Sequence, residues 1–171
     1  MGSHLTIDAP VLLDDSHDLG AFDCGVPPLD KWLKRRARDN AASGGTHTYV
    51  ACEGGKVVGY YALAAGAVEV TAAPGRFRRN MPDPIPIVVL GRLSIDRSEQ
   101  GKSLGRALFR DAGLRVLQAA AIIGVRGVLV DAISDDAKAF YLALGMTVSP
   151  LDPMTLMVRL ADLRASLTLG L

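Results

Sequence analysis

The segment Ile87-Val88-Val89-Leu90-Gly91-Arg92-Leu93-Ser94-Ile95 runs through Gln100-Gly101-Lys102-Ser103-Leu104-Gly105-Arg106 into a helical stretch that reaches Ala112. Its first half is apolar and strand-like; its second half is a small-residue loop that opens a helix. Such a loop presents unpaired backbone N–H groups and the positive end of a helix dipole, which suits an anion such as a pyrophosphate. Gly101-Lys102-Ser103 also imitates the end of a nucleoside triphosphate P-loop. That loop needs a glycine five positions before Gly101, and Asp96 stands there, so the P-loop is excluded. Taken alone, Gly101 and Gly105 read equally well as ordinary loop and helix-start glycines.

Working outward, Val128-Leu129-Val130-Asp131-Ala132 reads as a short buried strand. Ser134 to Met146 reads as a helix capped by Ser134 or Asp135 and ended by Gly145. The helix after the loop runs from Leu104 to about Ile123, with a wide apolar stripe. Upstream, Thr6 to Leu13 is a strand, and Leu29 to Asn40 is a helix introduced by Pro27-Pro28. His47 to Glu53 and Lys56 to Ala67 form a hairpin through Gly54-Gly55. Thr71 to Pro86 is a loop, Ile87 to Ile95 a strand, and Thr147 to Ser149 and Thr155 to Leu160 closing strands.

The chain has 171 residues, 49% of them hydrophobic, enough for one well-buried domain and short for two. A net charge of +1 predicts nothing about nucleic acid by itself. Cys24 and Cys52 lack metal-ligand spacing and suggest no disulfide framework, which fits a reducing cytoplasm. No apolar run reaches the ~18 residues of a membrane helix. Met1 to His4 reads as a cloning remnant, leaving residues 5–171 as the single domain.

The order strand, Gln100-x-x-Ser103-x-Gly105 loop, long helix, strand, short helix with Ala137-x-x-Phe140-Tyr141, then Gly145-Met146 resembles the GNAT acetyltransferase superfamily over most of the chain. A narrower match joins Phe22-Asp23-Cys24-Gly25, Leu29-Asp30-Lys31-Trp32-Leu33, Thr48-Tyr49-Val50 and Leu90-Gly91-Arg92-Leu93. These resemble the GNAT toxins of bacterial type II toxin–antitoxin pairs, which acetylate the free amine of aminoacyl-tRNA. The resemblance implies an α/β (α+β) fold with a central mixed, mostly antiparallel sheet flanked by helices. It also implies acetyl-CoA bound between the Ile87 and Val128 strands, a ribbon–helix–helix antitoxin as partner, and a homodimer. The family's loop usually has glycine where Ser103 stands. Serine keeps the backbone donor, so cofactor binding is expected to survive provided Ser103 needs no positive φ.

By the same resemblance, the backbone of Leu93, Ser94 and Ile95 contacts the thioester carbonyl. Gln100, Gly101, Lys102, Ser103, Leu104, Gly105 and Arg106 hold the pyrophosphate, with Ser134 as a further cofactor contact. Tyr141 maps onto the family's tyrosine near the cofactor sulfur and becomes the general acid. Without the resemblance it reads as a helix tyrosine packed on Phe140. No residue stands out as a general base: Glu99, Asp131, Asp135 and Asp136 are available, but each reads as well as a cap or surface charge. An α-amine with a pKa near ~8, lowered by esterification of its carboxyl, needs little help.

Basic residues form two clusters. Lys31, Lys34, Arg35, Arg36 and Arg38 lie on the first helix, where a solvated face is as good a reading as RNA contact. Arg76, Arg78 and Arg79 surround Phe77, an arrangement suited to holding phosphates and stacking a base. Arg92, inside a strand, needs either a substrate phosphate or an internal carboxylate partner. The expected RNA contacts are Arg76, Arg78, Arg79, Arg92, Lys34 and Arg35. The alternatives are a GNAT enzyme acting on a protein N-terminus, polyamine or drug, and a silent acyl-CoA-binding regulator.

Overall fold

The computed structural model describes residues 6–168, so Met1 to His4, expected to be a cloning remnant, lie outside the described residues. The elements are β1 (Val11–Leu12), α1 (Pro27–Arg35), α2 (Ala37–Ala42), β2 (His47–Glu53), β3 (Lys56–Val68), α3 (Gly75–Arg78) and β4 (Ile85–Ile95). They continue with α4 (Leu104–Ala120), β5 (Gly127–Asp131), α5 (Asp135–Ala143), β6 (Thr147–Val148), β7 (Thr155–Arg159) and α6 (Leu160–Thr168). The strands hydrogen-bond in the order β1-β2-β3-β4-β5-β7-β6. β4 and β5 are parallel, and β1–β2, β2–β3, β5–β7 and β6–β7 are antiparallel, giving the expected mixed, mostly antiparallel sheet with helices. None of the described helices is long and apolar enough to cross a membrane.

Two compact units divide the chain: residues up to Ala64 with Arg92–Asp111, and Ala65–Gly91 with Ala112 onward. In the first, the β2–β3 hairpin forms through Gly54-Gly55 as its alternation requires. Its core gathers Phe22, Leu33, Ala37, Val50, Val57 and Tyr60. Leu33 is 1% exposed, and burying such a side chain stabilises by about 1.5–3 kcal/mol. Gly59 of β3 sets how closely α4 approaches. A Cβ there would stand 3.1 Å from the Leu108 side chain and 3.3 Å from that of Leu104, so both leucines would have to shift by a few tenths of an ångström to keep the first turns of α4 on β3.

In the second unit, Ala73, Phe77, Ile85, Ile87, Leu129 and Met157 form the core. β4 and β5 pair only at Val88–Val128 and Val89–Leu129, although β5 continues to Asp131. The β5–β7 ladder is longer, from Gly127–Arg159 to Asp131–Thr155.

Several elements differ from the sequence reading. The Thr6–Leu13 strand shrinks to Val11–Leu12 plus a lone bridge from Ile7 to Glu53. The Leu29–Asn40 helix breaks at Arg36, whose φ of −121° leaves the helical range. The Thr71–Pro86 loop carries a helical turn, and its last two residues belong to β4. The helix after the loop ends at Ala120, and the closing segment continues past β7 as α6, whose Leu163 and Leu167 are buried.

Candidate active site

The loop that opens α4 has an unusual backbone. Gly101 has φ +78° and Ser103 φ +68°, both left-handed, and the first intrahelical bond runs 3.2 Å from the Ala107 N–H to the Ser103 carbonyl. The N–H groups of Leu104, Gly105 and Arg106 therefore have no carbonyl earlier in the helix to reach. Left-handed residues alternating with others turn successive N–H groups toward a common side, the arrangement that cradles anions. Exposed Lys102 and Arg106 add positive charge. Glu99, the nearest carboxylate in sequence, lies 3.5 Å from the Lys102 ammonium. This donor set fits a pyrophosphate. The condition placed on Ser103 fails, however: it does adopt a positive φ, at a steric cost a glycine would not carry.

Gln100 is engaged within the protein through its side-chain amide. Its side-chain Nε2 donates to the Cys24 carbonyl and to the Ile95 carbonyl, each at 2.9 Å, so the amide N–H groups are spent on protein. They belong to a latch that accounts for the Phe22-Asp23-Cys24-Gly25 motif. The Asp23 N–H donates to Asp96 at 2.9 Å, the Arg97 N–H donates to the Asp23 carbonyl at 2.9 Å, and the Arg97 guanidinium pairs with the Asp23 carboxylate at 3.2 Å. The Gly25 N–H and then Arg97 hold the Asp23 carboxyl below its ordinary pKa. Burial pushes Asp96 up, but hydrogen bonds from Ser98 and from the Asp23 N–H bring it below its usual value overall.

Leu93, Ser94 and Ile95 end β4. Ser94 is buried, and its hydroxyl donates 2.9 Å to the Arg92 carbonyl, leaving the backbone as the group able to meet a substrate carbonyl. Arg92 has φ +57° in mid-strand, is exposed, and holds its guanidinium carbon 4.3 Å from the centroid of the Trp32 ring. Of the two partners expected for it, an internal carboxylate is absent among the described residues.

Tyr141 lies on α5, 7% exposed, edge-on to Phe140 with ring centroids 5.1 Å apart. Burial pushes its phenol up to about 12, so it is protonated throughout the neutral range. Ser134 caps this helix by accepting the Ala137 N–H at 3.1 Å, which commits its hydroxyl and leaves Asp135 and Asp136 as first-turn charges favourable to the dipole. Asp131 accepts a 2.6 Å hydrogen bond from Thr155.

The two basic clusters are engaged differently, each within its own unit. Arg78 and Arg79 are exposed at the end of α3, and Arg76 lies 3.9 Å from Asp162 with most of its side chain in solvent. Phe77 is 3% exposed and part of the core, so the base-stacking role expected for it is excluded: its ring is enclosed by Ile85, Ile87 and Met157. Arg126, which the sequence did not single out, donates 2.7 Å to the Phe77 carbonyl and 2.8 Å to the Arg76 carbonyl and thereby holds α3 by its last carbonyls. On the first helix Lys34 and Arg35 are exposed in the last turn, where positive charge suits the dipole. Arg38 is committed to the carbonyls of Asp14 and His17.

No family model matches the chain. A tRNA-acetylating toxin of Mycobacterium tuberculosis is 49% identical over 157 residues, 92% of this chain and 95% of that protein. The solved structure of the toxin AtaT complexed with acetyl-methionyl-tRNAfMet is 30% identical and superposes with a TM-score of 0.85, covering 94% of this chain and 98% of that one. A tyrosine-to-phenylalanine mutant of AtaT, bound to the C-terminus of the antitoxin AtaR and acetyl-CoA, is 29% identical at a TM-score of 0.79, covering 97% and 99%. With its mixed sheet, the anion-cradling entrance to α4 and these near full-length likenesses, the chain belongs to the GNAT-fold tRNA-acetylating toxins of toxin–antitoxin systems.

Proposed function

We propose that this protein is the toxin of a type II toxin–antitoxin pair, which transfers an acetyl group from acetyl-CoA to the α-amine of aminoacyl-tRNA in the cytoplasm and so blocks translation. What carries the acceptor assignment is the 49% identity, across 92% of the chain, to a tRNA-acetylating toxin. Acetyl-CoA supplies the acetyl group as a thioester. The N–H groups from Gly101 to Arg106, with Lys102, hold its pyrophosphate, and the backbone of Leu93, Ser94 and Ile95 meets its carbonyl. Gln100 shapes the loop through its amide, and Ser134 contributes through its backbone beside the start of α5.

In the reaction a C–N bond forms, the C–S bond breaks, and the proton lost by the amine ends on the sulfur. Tyr141 serves that last transfer. A phenol raised to about 12 keeps its proton against a thiolate whose conjugate acid has a pKa of ~8.5. It therefore donates a hydrogen bond to the departing sulfur, passing its proton on only as the amine's proton replaces it. No separate base is assigned: Lys102 engages Glu99, Thr155 engages Asp131, and an esterified α-amine is largely neutral near pH 7 to 8.

Arg76, Arg78, Arg79, Arg92, Lys34 and Arg35 provide contacts to the RNA backbone. On the family resemblance, the neutralising partner is a small DNA-binding antitoxin of ribbon–helix–helix type, and the toxin self-associates as a dimer.

The test is incubation with labelled acetyl-CoA and total charged tRNA, followed by identification of the acetylated aminoacyl group. It is run beside a minimal aminoacyl ester at several salt concentrations. Arg78→Glu with Arg79→Glu is expected to suppress tRNA acetylation and flatten its salt dependence. Equal loss on both acceptors, or no loss and an unchanged salt slope on tRNA, would remove these arginines from the RNA surface. Labelling of free amines but of no charged tRNA would overturn the function itself.

A further inference from the structure

Arg92 carries a strained backbone in the middle of a strand, immediately before the Leu93–Ile95 backbone proposed to meet the thioester, and the kink also re-aims the Arg92 side chain. A left-handed φ at a long charged residue is rare, costs free energy, and re-aims a side chain out of the regular strand alternation. Here the kink accompanies a specific placement. The guanidinium lies over the Trp32 ring, with its central carbon 4.3 Å from the centroid. Trp32 is itself fixed, stacked on Tyr60 at 6.1 Å with the rings 11° from parallel. Tyr60 is fully buried, and its hydroxyl is anchored 2.7 Å from the Leu29 carbonyl.

A guanidinium resting on an aromatic face is held by its plane, while its N–H groups point outward along the edges of that plane. Among the described residues no carboxylate, carbonyl or hydroxyl pairs with those groups. Arg92 is exposed, and Lys34 and Arg35 lie just beyond Trp32 on the same helix. An arginine so immobilised, unpaired and directed to solvent has lost its side-chain entropy before any ligand arrives, and its fork matches a phosphate oxygen pair.

We propose that Trp32 and Arg92 form a preformed phosphodiester fork for the acceptor end of the RNA. Arg92 is the phosphate ligand, and Trp32 is a positioning residue that acts only through Arg92. This rests on the tRNA reading above and deepens it. The same chemistry would suit a phosphate of acetyl-CoA, and the experiment separates the two sources.

The test uses the full-length protein and steady-state kinetics on charged tRNA and on a minimal aminoacyl ester, with acetyl-CoA affinity measured by calorimetry. Arg92→Gln is expected to raise KM for tRNA about tenfold, mainly through KM rather than kcat, and to reduce the salt slope by about one. Its loss on tRNA should exceed its loss on the ester at least fivefold. Trp32→Leu should move KM the same way, Trp32→Phe should recover most of the loss, and the double variant Trp32→Leu with Arg92→Gln should be no worse than Arg92→Gln alone.

Multiplied losses in the double variant would overturn the role of Trp32. A matching rise in the acetyl-CoA Kd would assign the fork to the cofactor and overturn the proposal. If the wild-type protein acetylates charged tRNA while Arg92→Gln keeps its KM and salt slope, the fork fails and the function stands. If it acetylates no charged tRNA, both fall. Should Trp32→Leu not fold, Arg92→Gln and Trp32→Phe still decide the matter.

Discussion

Ser103 offers a direct measure of what the cofactor loop costs the fold. An L-residue in left-handed backbone is disfavoured by about 1–2 kcal/mol, and Ser103 sits there with φ +68°. Glycine removes that cost, but it also gives the unfolded chain more freedom, which takes back about 0.4–1 kcal/mol. The hydroxyl adds little in compensation. A serine that caps a helix by accepting a first-turn N–H normally has extended backbone, whereas Ser103 is exposed and left-handed. Ser103→Gly should therefore stabilise by about 0.5–1 kcal/mol, which for a chain of this size raises Tm by about 2 °C. Ser103→Ala, which keeps the Cβ, should show no gain. Because the N–H array is the same in either case, the acetyl-CoA Kd of the glycine variant should stay within about threefold of wild type. Differential scanning calorimetry on the three proteins decides the first point and titration calorimetry the second. A glycine variant that melts no higher than the alanine variant would refute the assignment of strain to this residue.

Gly105→Glu places bulk and a negative charge among the first-turn N–H groups, and calorimetry should show acetyl-CoA binding abolished in a folded protein; undiminished affinity would remove the loop from the cofactor site. Tyr141→Phe should keep the fold and cofactor affinity while lowering kcat by ~10²-fold or more, read in single-turnover acetylation, and unchanged chemistry would return Tyr141 to packing. The same tyrosine sets an alkaline limit. Burial raises its pKa from 10.0 to about 12, so the native state holds a proton that the unfolded chain releases above pH ~10. That stability is present in full below pH ~10 and is lost as pH rises toward 12; urea midpoints should fall over that range, and less steeply in Tyr141→Phe.

The parts of the molecule that could be read from sequence are those written in local chemistry. The β2–β3 hairpin follows from alternation around Gly54-Gly55, α5 from Ser134 at its start and Gly145 at its end, and the α4 entrance from small residues after an apolar strand. What stayed hidden depends on partners distant along the chain. Arg36 carries no helix-breaking chemistry, yet the helix breaks there, and the Arg38 side chain just beyond it reaches back to the carbonyls of Asp14 and His17. Phe77 sits among arginines in sequence and among aliphatic side chains in space. The sequence reading stops at Leu160 and assigns nothing to the rest of α6, although its leucines at 163 and 167 repeat at helical spacing.

The residues expected at the cofactor illustrate the same division within a single side chain. Gln100 stands at a position where family resemblance points to the pyrophosphate, but its amide N–H groups go to the carbonyls of Cys24 and Ile95, the former 76 residues away. Since Asp23 and Arg97 close the same latch, the Phe22-Asp23-Cys24-Gly25 motif braces the proposed cofactor loop through contacts within the protein. It sets where β4 ends and where the loop begins. It also leads directly into α1, the helix that carries Trp32 beneath Arg92. One short motif thus fixes both the pyrophosphate cradle and the proposed phosphate fork, and a latch of this kind gives a physical reason for the two to occur together in one sequence.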